Sequence, residues 1–197
     1  LGEDGKYSIG ADETVAIAEM NGKGYLTLAA ALKAIDGEGT IKLLQDTTEH
    51  FEVSADQKIT IDLNGKTLTD SNSGFVVLGE LTIKDLVGGG KISNKAAIVV
   101  DGDSAKFTLN SGAIECTEDY GIYCMNSGTA IINGGSIDSL YAPLTGNNTK
   151  GNMNFEIHGG TLTAAQGPAI YMPGQGALTI TDGVLNGGIS LRMGQVN

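Results

Sequence analysis

One short phrase dominates this chain: a branched apolar residue, four residues rich in Gly, Ser, Thr or Asn, and a second apolar residue. It recurs six times, ending at Leu68, Ile92, Ile114, Ile137, Leu162 and Leu185, at steps of 24, 22, 23, 25 and 23 residues. A fixed period of this length means that each repeat is one supersecondary unit that buries its apolar side only against its neighbours. The expected product is a solenoid of stacked coils.

Within each period the apolar residues alternate, which is the signature of strand. A first strand follows a small residue at Gly74–Val77, Ala97–Val100, Gly121–Cys124, Ala169–Met172 and Gly188–Leu191. A second covers Ile59–Leu63, Leu81–Ile83, Phe107–Leu109, Ala130–Ile132, Phe155–Ile157 and Leu178–Ile180, and a third, shorter one ends at the six anchors. Around Tyr141–Gly146 the first-strand pattern is spoiled, and Pro143 with the polar run 145–152 reads as an insertion that interrupts that corner. Leucine-rich repeats share the period, but no L-x-x-L-x-L phrase recurs, and the intervening segments are Gly-rich corners such as Gly88-Gly89-Gly90 and Gly134-Gly135. The expectation is an all-β fold: a right-handed single-stranded parallel β-helix, three-sided, of about six coils.

The N-terminal part departs from the repeat. Leu28, Ala31, Leu32 and Ile35 stand at helical spacing, with Thr27 as an N-cap and Gly37 beyond the end, so a capping α-helix is expected over about 27–36. Before it, Val15–Met20 alternates as a strand and Asn21-Gly22 signals a turn. Residues 1–12 read as a linker or the end of a preceding domain, and 13–197 as one β-helix domain. The last strand comes 19 residues after its predecessor with no lid, so the solenoid is expected to continue or to pair beyond Asn197.

Charge and apolar runs narrow the partners. With 23 acidic against 12 basic residues the net charge is −11, which repels nucleic acid and anionic lipid surfaces. No run approaches the roughly 20 apolar residues of a membrane span, so no membrane insertion is expected. Two cysteines, Cys116 and Cys124, are too few for a disulfide framework. Both fall at inward parity, which leaves a bridge across the intervening corner and two buried thiols equally open.

The phrases Val15-Ala-Ile-Ala-Glu-Met-Asn-Gly-Lys-Gly-Tyr25-Leu-Thr-Leu, Gly39-Thr-Ile-Lys-Leu-Leu-Gln-Asp46 and Ile59-Thr-Ile-Asp-Leu-Asn-Gly-Lys-Thr-Leu68 resemble the opening of a known module. It is the pectin-lyase-like right-handed parallel β-helix of large Gram-positive bacterial surface proteins. Those modules begin with a Tyr-x-Thr-Leu capping helix and enter the coils through I-D-L-N-G-K-x-L. The resemblance implies an extracellular setting, secreted or attached to the cell wall, and surface presentation or glycan contact. It also brings the polysaccharide lyases of this fold, which use an Arg or Lys base beside calcium held by carboxylates. The one arginine here, Arg192, has Tyr171 and Pro173 and no acidic cluster one coil earlier, so the lyase pattern is not met.

Candidate sites follow from parity and period. Glu115 and Asp138 occupy equivalent outward positions on successive coils, about 5 Å apart, the separation a glycosidic pair of carboxylates requires. Their neighbours Ser93, Thr163 and Asn186 make that stripe polar, so nothing there would raise a carboxyl pKa, and the pair is a weak catalytic candidate. Asp101 and Asp103, with Glu118 and Asp119 one coil on, form an acidic corner that is a weak calcium candidate without EF-hand spacing. His50 and His158 read as surface residues. On the first face the outward positions carry Val76, Leu78, Val99, Asp101, Tyr123, Met125, Tyr171 and Pro173, mostly apolar, against Thr, Lys, Asp, Asn and Ser elsewhere. This apolar strip, with Tyr123, Tyr171, Met125 and Val99 as ligand-binding residues, points to stacking on sugar rings or burial against a partner protein. The expected function is therefore a non-catalytic surface module for adhesion or glycan contact. A polysaccharide lyase or glycoside hydrolase is the alternative, and a passive spacer the third reading. Self-association through the open C-terminal edge or the apolar face is a further expectation.

Overall fold

The structure is a computed structural model that describes residues 15–70, 74–147 and 152–192. The linker expected at 1–12 lies outside the described residues. The alternating apolar residues form strands stacked in three parallel ladders, making a β-solenoid of about six turns.

The first face is a seven-stranded sheet of Glu52–Val53, Val76–Val77, Ile98–Asp101, Ile122–Met125, Leu144–Asn147, Ile170–Met172 and Ile189–Leu191. The second face runs through Glu38–Leu43, Lys58–Asp62, Glu80–Lys84, Lys106–Leu109 and Thr129–Ile132, and the third through Thr47–Thr48, Thr67–Thr69, Lys91–Asn94, Ala113–Cys116 and Ser136–Ser139. In the last two coils one continuous strand turns the corner and serves both faces: Met153–Ala164, then Gly176–Asn186.

Parity fixes the core. Side chains at alternate positions enter a column in which equivalent residues of successive coils touch, and every anchor of the repeat from Leu68 to Leu162 is fully buried. Size is balanced along the column: Phe107, Ala130 and Phe155 are consecutive rungs, so two rings flank a methyl group and the volume is filled without strain. At the N-terminal end Phe51 stacks on Phe75 with ring centroids 4.2 Å apart.

One expectation is corrected. The first-strand pattern is not spoiled at Tyr141–Gly146: Leu144–Asn147 pairs in register with Ile122–Met125, and Leu144 is opposite Ile122 and Ile170. The alternation was hidden because an inward rung is a glycine. A Cβ at Gly146 would lie 2.2 Å from the Cys124 carbonyl oxygen and 3.1 Å from Met153 Cε, so the neighbouring backbone and the Met153 side chain use the space that an apolar residue fills in other coils.

The two ends differ. At the N-terminal end α1 (Leu28–Lys33) buries Leu28, Ala31 and Leu32 against the first coils, shorter than the expected 27–36 because Ala34 already forms its C-cap. Its first turn is held by Thr27 and by Glu49, whose carboxylate accepts from the Leu28 and Ala29 N–H groups at 2.8 and 3.1 Å. Beside it, Ala18–Met20 and Lys23–Tyr25 form a hairpin through Asn21-Gly22, both at positive φ, and the hairpin pairs antiparallel with the edge strand Glu38–Leu43. In the last coil inward positions stand in solvent: Ile180, Ile189 and Leu191 are 41–59% exposed.

Candidate functional site

The outer surface of the first face is organised by strand register. Val76, Val99, Tyr123 and Thr145 are consecutive rungs, and Tyr171 pairs onward with Ser190. Since Leu144 pairs with Ile170, Thr145 falls between Tyr123 and Tyr171, which stand two rungs or about 9.6 Å apart. Thr145 is only 1% exposed, so a covered polar residue separates the two tyrosines along this row. Leu78, Asp101, Met125, Asn147 and Pro173 make a second, more polar row beside it.

Sequence parity missed two further tyrosines, because corner residues do not alternate. Tyr120, in the corner before Gly121, lies 5.8 Å from the Tyr123 ring and 5.4 Å from Tyr141, centroid to centroid, with interplanar angles of 51° and 46°. The available signal was the recurrence of tyrosine at nearly one period, 120 and then 141. Backbone bonds set this corner: Tyr141 N–H donates to the Asp119 carbonyl and Gly121 N–H to that of Ala142, both at 3.3 Å. Three rings thus meet where the first face turns, Tyr141 being 41% exposed and the other two half-buried. Burial first, and then electrostatic repulsion from Tyr120 and Asp119, push the Tyr123 phenol above its ordinary value, so at neutral pH it remains an O–H donor.

The carboxylate candidates are dispersed. Glu115 and Asp138 are opposite each other on adjacent strands, as the period requires, but Glu115 accepts from the Lys91 ammonium at 2.9 Å. They border a groove of about 370 Å³ that also contains Cys116, Thr117, Ser139, Leu140 and Ala165. At the acidic corner Asp101 accepts a hydrogen bond from Asn126, Glu118 pairs with Lys95 at 3.1 Å, and Asp103 is exposed. Among the described residues no three or more His, Cys, Asp or Glu side chains converge as a metal site.

The cysteine question is answered by burial without a bond. Cys116 and Cys124 are free and buried; burial pushes the Cys116 thiol up to about 11 and that of Cys124 further up. Neither is a thiolate at neutral pH. His50 Nδ1–H donates to the Asp70 carboxylate at 3.2 Å, His158 contacts Thr181 at 2.9 Å, and Arg192 is exposed past the last strand. No helix among the described residues is long and apolar enough to cross a membrane.

Comparison with known proteins finds no matching family model, no matching curated protein and no matching solved structure. The parallel β-solenoid is shown by the structure itself.

Proposed function

We propose that this chain is a non-catalytic extracellular contact module that takes a neutral glycan on the tyrosine surface of its first face. The observation that carries the reading is the cluster of Tyr120, Tyr123 and Tyr141, extended along the solenoid to Tyr171. Aromatic rings presented on rigid strands offer flat apolar area while their O–H groups remain available to sugar hydroxyls, and ordering them costs little because packing already fixes them. Rungs at 4.8 Å spacing give a surface that repeats along the axis, suited to a polymer that also repeats. The net charge of −11, with Asp101 and Asp119 at the margin, disfavours uronate-rich or sulfated chains and leaves uncharged glycans as the preferred class. The opening phrases shared with pectin-lyase-like modules of Gram-positive surface proteins support the extracellular setting.

The test is retention on affinity gels carrying neutral and acidic polysaccharides. Retention by a neutral polymer, weakened roughly tenfold in Tyr123→Ala and again in Tyr171→Ala, supports the reading. Release of reducing ends that survives both changes but stops in Glu115→Gln replaces it with a hydrolase. Retention that is unchanged in both tyrosine variants overturns it.

A further inference from the structure

The tyrosine surface has a definite spacing as well as a chemistry. Val99, Tyr123, Thr145, Tyr171 and Ser190 are successive rungs of one row. Both tyrosines are flanked along their strands by buried residues, Ile122 and Cys124 for one, Ile170 and Met172 for the other. Their backbones therefore stand in one column, two rungs or about 9.6 Å apart. The rung between them offers no ring, because Thr145 is covered. Along the strands the next outward residues are Met125 and Pro173, so rings recur along the solenoid axis and not across it. Tyr120 and Tyr141 stand in the corners that lead into the strands of Tyr123 and Thr145. Tyr120 is inclined at 51° to Tyr123, and Tyr141 lies 5.4 Å from Tyr120. The row thus has a floor with rings at its first and third rungs, and an aromatic flank beside its first and second.

A pyranose presents C–H bonds on its two faces and hydroxyl groups around its edge, so an aromatic floor takes a face and leaves the edge to water or to phenol O–H groups. Linkage decides whether two sugars of one chain can lie on the same floor. When both bonds of a 1,4 linkage are equatorial the chain runs straight: each sugar advances by about one strand spacing, is turned over relative to the last, and keeps its ring plane level. An axial bond or a 1,3 linkage rotates successive ring planes, and the chain coils away from a straight row. Floor rings two rungs apart with a bare rung between them match the straight chain, in which every second sugar presents the same face.

Resting on the neutral-glycan reading of this surface, we infer that its ligand is an extended, diequatorially 1,4-linked pyranose chain lying along the solenoid axis. One sugar stacks on Tyr123, the next bridges Thr145 with its edge toward Tyr141, and the third stacks on Tyr171. Three sugars are the shortest length that engages both floor rings. Because strand pairing fixes the spacing before the ligand arrives, little ordering opposes the second contact.

Isothermal titration calorimetry of the whole chain with cellobiose, cellotriose, cellohexaose, maltohexaose and laminarihexaose tests this. Affinity is expected to rise roughly tenfold from the disaccharide to the trisaccharide, where the second ring is first reached, and cellohexaose is expected to bind at least about tenfold more tightly than the axial 1,4 and the 1,3 hexamers. Neither comparison needs a variant. Tyr171→Ala should abolish the rise while leaving cellobiose affinity unchanged, and Tyr171→Phe, which keeps the ring, should retain it; a circular-dichroism melt at the wild-type temperature confirms that both fold. Binding with no rise at the trisaccharide, a rise that survives in Tyr171→Ala, or maltohexaose or laminarihexaose binding as tightly as cellohexaose overturns the inference and leaves the neutral-glycan reading standing. Binding of none of the five overturns the inference together with the reading beneath it.

Discussion

Replacing Gly135 by alanine tests whether the coils touch through their backbones at the corners. Gly135 has φ +77°, and the Cβ of an alanine would fall 2.3 Å from the Gly112 carbonyl oxygen of the preceding coil. Left-handed backbone costs a non-glycine residue about 1–2 kcal/mol by itself. The clash adds to this, because the oxygen in the way is the one that accepts from Ser136 N–H at 3.0 Å, and opening the gap to admit a methyl group breaks that rung. A lost hydrogen bond of this kind is worth about 1 kcal/mol, so the total is about 3 kcal/mol. Gly22 provides the control: its φ is also +77°, and nothing lies within 4 Å of its would-be Cβ. Gly22→Ala should cost only the conformational part, about 1 kcal/mol. Urea unfolding followed by circular dichroism measures both. Equal losses in the two variants would refute corner-to-corner stacking as the source of the difference.

Two further outcomes follow from buried polar chemistry. Burial raises the pKa of Asp85, but the N–H groups of Gly65, Gly90, Gly88 and Val87 outweigh it and hold the carboxyl below its ordinary 3.8. A depressed folded pKa means stability that is fully present above 3.8 and drains as the pH falls below it, so acid should loosen the Leu86–Val87 corner. Asp85→Asn should cost about 1–3 kcal/mol at neutral pH and flatten the acid limb of a stability-against-pH curve; an acid limb parallel to the wild type would contradict this. Cys116 and Cys124, kept as buried thiols, should resist alkylation at pH 8 in the native protein, where mass spectrometry should detect no adduct, and both should react in urea. Rapid labelling of the folded chain would show that the coil holding them is open.

How much of this could be read from residues alone depends on what repeats. The anchors from Leu68 to Leu185 recur because every coil must bury the same position, and that repetition carries the solenoid, its three faces and the outward register of Tyr123 and Glu115. It fails where space is shared between coils: Gly146 is an inward rung whose volume Met153 shares, so the first strand at Leu144 reads as broken. The helix was visible in the spacing of Leu28, Ala31 and Leu32, but not the Glu49 carboxylate that holds its first turn from twenty residues away. Tyr120 and Tyr141 escaped because corners obey no alternation. The exposure of Leu86 and Val87, at 72% and 70%, escaped for a related reason: as a sequence, the run before Gly88-Gly89-Gly90 reads as one more corner, and only the hydrogen bonds of Asp62 and Asp85 show that it is a held one.

The proposed function places ligand contact on the tyrosine surface of the first face. Amide chemical-shift mapping during titration with a neutral oligosaccharide retained by the intact protein tests it most directly. The account predicts shifts confined to residues around Tyr120, Tyr123, Tyr141 and Tyr171, saturating together and absent in Tyr123→Ala. Shifts centred on Glu115 and Asp138, or on the residues Lys33, Asp36 and His50 that line a cleft beside α1, would contradict it.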